Sequence, residues 1–287
     1  MRLVVTGATG RMGREVIDAA RERGDDVVGV SHSSTGEYGG CEIRPDEEFT
    51  ALIEERRPDA LVDFTLPEPS VSYVNGCAEA GVPAVVGTTG FSEDQLAELR
   101  EASERIPVLH AANFSRGVQG LLAVVREAVA TLPDYDIELT ETHHNGKLDA
   151  PSGTANRVLD AISEARGAQR ASEWSSSAER DSADSQATEP RDDGGQPRDG
   201  GESPRVHGRE GEAPRAEGEI GVHARRAGDI TGEHELLLAG NYEELRLTHR
   251  AGSRGVFAAG ALDAAEWLAG RSPGWYDFSD TLSDSQP

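Results

Sequence analysis

The sequence predicts an α/β protein: a parallel sheet wrapped by helices on both faces, followed by a second domain of α+β type. Three observations carry this. The chain opens with a strand, a glycine loop and a helix in immediate succession. Short apolar runs then alternate with helical periodicity to about residue 115, and beyond that point the runs lengthen into alternating segments. At 287 residues the chain is long enough for two domains.

Taken in order, Leu3, Val4 and Val5 form a short buried strand. Gly7, Gly10 and Gly13 follow, and Met12, Val16, Ile17 and Ala20 recur at helical spacing. A second strand spans 27–31, then a polar loop, a helix over 46–55 and a third buried strand over 59–65. "EPSVSYVNGCAEAG" is helical up to Gly81, and "PAVVGTTG" is a fourth strand running into a turn. Ser92 and Gln95 make a capping box that opens the next helix, and "PVLHAANF" is a fifth strand. Beyond Ser115 come a helix over 118–131 and the strand "DIELTETHH", with Ile137 and Leu139 inward. A helix after Pro151 is expected to end near Gly167. "EIGVHARR", "GEHELLLAG" and "EELRLTHR" alternate between Gly218 and Gly252 and are expected to pair antiparallel. The helix "GVFAAGALDAAEWLAG" is expected to end the ordered part. Residues 1–112 thus make the first domain, completed by a C-terminal helix within 255–287, and 113–254 make the second. Within the latter, 168–204 is built of Ser, Asp, Glu, Arg, Gly and Pro, with Trp174 its only large apolar residue. Such a segment cannot offset its ordering entropy by burial, so a disordered acidic insertion is expected there.

Composition narrows the function. The formal charge is -24, from 52 acidic against 28 basic residues, and no basic stripe suited to nucleic acid is present. No apolar run approaches the roughly 20 residues of a membrane-spanning helix. The first strand begins with no apolar leader ahead of it, and the two cysteines, Cys41 and Cys77, stand outside any metal-ligand spacing. Free thiols in a reducing cytoplasm are the expectation, with no nucleic acid, membrane or metal as partner. The basic residues comprise 27 arginines and one lysine, Lys147. Acidity with arginine in place of lysine points to a cytoplasm of very high salt. There the Debye length falls to about 3 Å at 1 M, and a hydrated carboxylate surface keeps a protein soluble.

Between a strand and a helix, "GATGRMG" permits a tight turn and the close approach of a pyrophosphate seated on the helix N-terminus. Any tight strand-to-helix turn uses glycine, so it is the place after the first strand that points to a dinucleotide. The carboxyl ends of the five strands carry "GATGRMG", "SHSS", "DFT", "GTTG" and "AANFS", loops suited to the groove of a long cofactor. The acidic residue that would hold the ribose hydroxyls of NAD is absent after the second strand. Ser31, His32, Ser33 and Ser34 stand there instead. Their hydroxyls suit a 2′-phosphate, although no arginine lies beside them, so NADPH and NADH both stay open.

The stretch "THHNGKLDAPSGTA" (142–155) carries the second motif. Asn145-Gly146 is a turn signal. In a two-residue hairpin His144 and Lys147 would share a face while His143 points away; in a wider loop all three would converge. Pro151 lies near the first turn of the next helix. Ser152, Gly153 and Thr154 would present backbone N–H groups and hydroxyls where the helix dipole favours an anion. The substrate so implied is small, anionic and a dicarboxylate.

Taken together, these motifs resemble the 4-hydroxy-tetrahydrodipicolinate reductase (dihydrodipicolinate reductase) family. "GATGRMG", "VDFT", "GTTGF", "AANFS", "HHNGKLDAPSGTA", "RAGDITGEHE" and "THRAGSR" occur in the family's order and span nearly the whole chain outside the insertion. The resemblance implies NAD(P)H-dependent reduction of 4-hydroxy-tetrahydrodipicolinate to tetrahydrodipicolinate with loss of water, in lysine biosynthesis via diaminopimelate. It also implies a Rossmann-type first domain, an open mixed sheet in the second, and a homotetramer. Cofactor contacts are implied at Gly7, Ala8, Thr9, Gly10, Arg11, Met12, Gly87, Thr88, Thr89, Ala111, Ala112, Asn113 and Phe114, to which Ser33 and Ser34 add the 2′-phosphate candidates. His143 is implied as proton donor or acceptor and Lys147 as proton donor. Substrate carboxylates are implied at His144, Gly153 and Thr154, beside Ser152, with Arg254 bordering the site. An arginine could hold a carboxylate but not release a proton near neutral pH, which accounts for the lone lysine. An extended short-chain dehydrogenase would need Tyr-x-x-x-Lys, and the residue four before Lys147 is His143. A dinucleotide-sensing regulator would not need His143, Lys147 and the helix start together.

Overall fold

The computed structural model describes residues 1–183 and 203–283, in two units: Met1–Arg116 with Gly252–Pro287, and Gly117–Ala251. The first unit runs β1 (Arg2–Thr6), α1 (Arg11–Glu22), β2 (Asp26–Ser31), β3 (Gly36–Tyr38), β4 (Cys41–Pro45), α2 (Phe49–Arg56), β5 (Ala60–Asp63), α3 (Pro67–Ala80), β6 (Ala84–Val86), α4 (Glu93–Ser103) and β7 (Pro107–His110). Its eight-stranded sheet has the order β13-β7-β6-β5-β1-β2-β4-β3, where β13 (Gly274–Tyr276) comes from the C-terminal segment. All neighbours are parallel except β3 and β4. β1 lies between β2 and β5, so the chain builds outward to one side and then to the other. Crevices at the carboxyl ends of such strands are where ligands of doubly wound sheets bind.

Period-two alternation sends β1 side chains to both faces. Leu3 and Val5 pack with α1 and with α7 (Gly255–Leu268), and Val4 packs with α2, α3 and α4. α4 opens with the expected capping box: Gln95 N–H donates to Ser92 Oγ at 3.2 Å and Ser92 N–H to Gln95 Oε1 at 2.9 Å. Two parts of this unit differ from expectation. The polar loop before α2 contains the β3–β4 hairpin, closed by Gly39 and Gly40, both at positive φ, the geometry of a two-residue hairpin turn. Asp46–Glu48 is a 3-10 turn, and the α-helix proper begins at Phe49. Order also does not end with α7, because β13 extends the sheet beside β7 and α8 (Asp280–Ser283) follows.

The second unit holds α5 (Arg116–Thr131), β8 (Asp136–His143), α6 (Gly153–Ala183), β9 (Arg205–His207), β10 (Ile220–Arg226), β11 (Gly232–Ala239) and β12 (Glu244–Ala251). The five-stranded sheet has the order β12-β11-β8-β10-β9. β11 is antiparallel to β8 and β12, as expected, but β10 is parallel to β8 and β9. The reason is the connection: β8 is followed by α6, and a helical crossover returns the chain in the same direction. Ile137, Leu139, Ile220, Val222, Leu236 and Leu238 pack on one face against α5 and α6. α6 does not end near Gly167. It continues to Ala183, past Gly167, which costs a helix interior about 1 kcal/mol, and through sixteen residues of the expected insertion, where Ala, Gln, Arg and Glu recur among the serines. Of the rest of the expected insertion, 184–202 lies outside the described residues, and Ser203, just before β9, is buried.

Candidate active site

In the first unit, the residues expected at the cofactor lie in loops at the carboxyl ends of strands, except Arg11 and Met12, which open α1. Gly7 sits at φ +71°, and a Cβ there would lie 2.2 Å from the carbonyl oxygen of Phe64. A Cβ on Gly13 would lie 2.2 Å from the carbonyl oxygen of Gly7, so α1 meets the loop at backbone distance. Gly10 caps α1 without a side-chain hydrogen bond, and no acidic residue stands in the first turn. The helix N-terminus is therefore left to its N–H groups and positive dipole end, which fits a pyrophosphate. Arg11 is exposed beside it, and Met12 packs against the core.

The loop after β2 joins the first. Thr9 Oγ1 is 2.8 Å from Ser31 Oγ and 3.3 Å from Ser33 Oγ, with Ser34 exposed next to them. His32 turns aside to Asp46 at 2.7 Å. Beneath the loops, buried Asp63 accepts hydrogen bonds from the hydroxyls of Thr6, Thr65, Ser70 and Thr88 at 2.6–2.7 Å. Thr88 thus points inward, where it also accepts from Thr65 N–H at 2.8 Å. Ala8, Ala111 and Phe114 are buried too, the last edge-on to Phe64 and Phe278. These four can offer a cofactor their backbone rather than their side chains. Thr89 and Ala112 are exposed, while Gly87 and Asn113 are half-buried. Arg254 also belongs to this unit, at the N-cap of α7.

In the second unit, the core face of β8 reads Ile137, Leu139, Glu141, His143: apolar under the helices, then acidic and basic at the carboxyl end. Glu141 is fully buried. Arg226 Nη1 and Nη2 donate to its two oxygens at 2.9 and 2.8 Å, Ser152 N–H donates at 3.2 Å, and His143 Nδ1 lies 2.6 Å from Oε2. Burial pushes Glu141 up, but the guanidinium and the imidazole outweigh it and hold the carboxyl below its usual range. Burial pushes His143 down, assisted by the charges of Lys147 and Arg226, and the Glu141 contact recovers only part of the shift.

His234, paired with Glu141 across β11, is 3% exposed; its ring meets that of His143 at 5.3 Å, and its Nε2 lies 3.0 Å from Ser152 Oγ. Ser152 Oγ in turn accepts from Ala155 N–H at 3.1 Å, which starts α6. Ser152 is thereby engaged inside the protein, while Gly153 is exposed with open space over its Cα. Lys147 N–H donates to the His144 carbonyl at 3.1 Å, closing the turn at Asn145-Gly146, but no strand follows. The wider loop is therefore the one formed, not a two-residue hairpin. The Lys147 ammonium pairs with Asp149 at 2.8 Å and keeps that carboxyl below its usual range. His144 is half-buried in the same loop.

Glu141, Arg226, His234 and Asp63 had no role assigned from sequence. Glu141 was the legible one, since two positions before His143 on a strand means the same face. Arg226 is one of 27 arginines, and its place opposite His143 comes only from the parallel register of β10 on β8.

Comparison with known proteins gives the family. Residues 1–114 match the family described as dihydrodipicolinate reductase, N-terminus, and residues 117–282 its C-terminus. The 4-hydroxy-tetrahydrodipicolinate reductase of Natronomonas pharaonis is 54% identical over 282 residues, covering 98% of this chain and 100% of that protein. That of Haloarcula marismortui is 50% identical over 281 residues, covering 98% of each. The solved structure of dipicolinate-bound dihydrodipicolinate reductase from Paenisporosarcina sp. TG-14 shares the fold, with TM-score 0.70 at 21% identity over 96% of this chain and 97% of that one. The chain belongs to the dihydrodipicolinate reductase family of pyridine-nucleotide-dependent oxidoreductases.

Proposed function

We propose that this enzyme reduces 4-hydroxy-tetrahydrodipicolinate to tetrahydrodipicolinate with loss of water, in lysine biosynthesis via diaminopimelate. The observation that carries this most directly is the loop from His143 to Gly153, which joins a buried imidazole, the chain's only lysine and a helix start with open space above it. The names of relatives at 50–54% identity over the full length support the same substrate.

The nicotinamide cofactor, when bound, supplies a hydride to ring carbon C4 of a conjugated cyclic imine. Its pyrophosphate is assigned to the start of α1, with Gly7 to Met12, Gly87 to Thr89 and Ala111 to Phe114 around it. Thr9, Ser33 and Ser34 offer hydroxyls to a 2′-phosphate without excluding NADH. Negative charge develops on the imine system during reduction, and the proton that meets it has to come from the protein side. Lys147 holds both the charge and the proton, oriented by Asp149. His143, held below its ordinary value by burial, is neutral near pH 7 and suited to take up a proton and return it. His144, Gly153 and Thr154 are assigned to the substrate carboxylates and Arg254 to the border of the site. Ser152 sets the helix start that Gly153 and Thr154 present.

The charge of -24 and the near absence of lysine support work in a cytoplasm of molar salt. Among the described residues, α5 and α6 pack on one face of the second sheet, and self-association into a homotetramer through the other face belongs to the same reading. The test is cofactor oxidation with the freshly made condensation product of pyruvate and aspartate semialdehyde, using NADH and NADPH side by side in molar salt. Turnover with either supports the assignment. Cofactor binding without turnover refutes it.

A further inference from the structure

We propose that Glu141 is the positioning residue of this site: clamped by Arg226 and by the backbone N–H of Ser152, it fixes the proton of His143 on Nδ1 and leaves Nε2 as the nitrogen that does the chemistry. This rests on the assignment of His143 as an acid–base group and names the device through which that residue acts.

A carboxylate has about four lone-pair sites. On Glu141, Oε1 receives Arg226 Nη2 and Ser152 N–H, and Oε2 receives Arg226 Nη1 and faces His143 Nδ1 at 2.6 Å. Three of the four partners can only donate. A carboxylate so occupied is ionised, and the fourth partner donates as well, so the proton between the two residues belongs to Nδ1. The guanidinium and the Ser152 N–H keep Glu141 ionised, so a proton taken up by the pair stays on the imidazole.

The second half of the device is Arg226. A bare buried carboxylate beside an imidazole would keep it protonated. Burial offsets that pull, and the guanidinium across both oxygens adds a smaller push in the same direction, so the ring is oriented without being locked in its charged form. Arg226 also donates to the carbonyl of Asp149 at 2.6 Å, and Asp149 in turn pairs with Lys147. Ser152 N–H ties the start of α6 to the same carboxylate. One buried acid therefore anchors the imidazole, the helix start and, through Arg226, the loop that carries the ammonium.

On the far side of the ring, Nε2 has no hydrogen-bond partner among the described residues. The neighbour there is Gly232, where even a Cβ would approach Nε2 to 3.1 Å. That side is kept clear, as the working nitrogen requires.

The experiment has two arms. In the first, 15N chemical shifts of the histidine-labelled full chain in molar salt report the tautomer of neutral His143. The proton is expected on Nδ1, and finding it on Nε2 overturns the proposal without any variant. In the second, pH–rate profiles are compared for wild type, Glu141→Gln and Arg226→Gln. Removing the carboxylate destabilises the imidazolium, and removing the guanidinium stabilises it. The limb belonging to His143 should therefore move down in Glu141→Gln by about one to two pH units and up in Arg226→Gln by less. A merely structural role would lower both rates and leave the limbs in place or shift them together, and either result overturns the proposal. His143→Gln separates the levels. If it keeps the wild-type rate, the acid–base assignment falls and Glu141 falls with it; if it loses the rate while the limbs of the other two stay put, only the role of Glu141 falls.

Discussion

His234 makes the stability of this enzyme depend on pH in a way that can be worked from its surroundings. Burial, with a contribution from the neighbouring His143, pushes its imidazole down to about 4. Nε2 faces Ser152, and Nδ1 is buried with no partner among the described residues, so an imidazolium would carry an N–H with nothing to receive it. An unfolded histidine titrates near 6.5. Between the two values the unfolded chain holds the proton and the folded one does not. The stability is thus complete above pH 6.5 and is lost as pH falls toward 4. A displacement of about two and a half units, at roughly 1.4 kcal/mol per unit, sets a ceiling of about 3 kcal/mol, of which about 2 kcal/mol is gone by pH 5. His234→Gln retains a group able to reach Ser152 but does not titrate. Urea unfolding of both proteins, followed by circular dichroism in molar salt at a series of pH values, isolates the effect. His110, His143 and His249, shifted in the same direction, remain in both and largely cancel in the difference. The stability of wild type relative to the variant should fall by about 2 kcal/mol between about pH 8 and pH 5. A difference that does not change with pH would refute the reasoning.

Other consequences follow from the same geometry. Lys147→Arg should preserve KM, because the charge remains, while kcat falls by about two orders of magnitude or more, as loss of a proton donor demands; near-normal kcat counts against the donor role. Gly7→Ala forces a side chain into a positive φ and against the Phe64 carbonyl, so it should destabilise the protein by roughly 1–3 kcal/mol and weaken cofactor binding, both measurable by calorimetry; unchanged affinity would remove the loop from the cofactor site. Gly232→Ala crowds Nε2 of His143 and should lower kcat several-fold while cofactor affinity is unaltered, whereas an unaltered kcat would show that this side of the ring is idle. Lowering salt from molar to about 0.1 M unscreens a charge of -24 against a dianionic substrate, so KM should rise while circular dichroism shows the fold intact.

Much of the first unit was legible because its signals are local. The strand–glycine–helix opening, the capping box at Ser92 and the loops at strand ends each depend on residues a few positions apart. The β3–β4 hairpin was not, because strands as short as Gly36–Tyr38 leave no periodicity to read, and the Gly39-Gly40 pair was the one available signal. In the second unit, the direction of β10 depended on where the chain goes between β8 and β10, which alternation alone does not encode. The end of α6 was placed too early because Gly167 reads as a stop, while Ala, Gln, Arg and Glu recur beyond it among the serines. At the site, His143, Lys147 and the helix start stand within one motif. Their support comes from Arg226 and His234 on neighbouring strands, and register places those beside Glu141 and His143.

The most direct test of the central claim is isotope transfer. The enzyme is supplied with nicotinamide cofactor deuterated at C4 and with freshly formed 4-hydroxy-tetrahydrodipicolinate, and the product is analysed by mass spectrometry and proton NMR. Tetrahydrodipicolinate carrying one deuterium at ring C4 is the expected result. Recovery of unreduced substrate, or of product with no deuterium at that carbon, would contradict it.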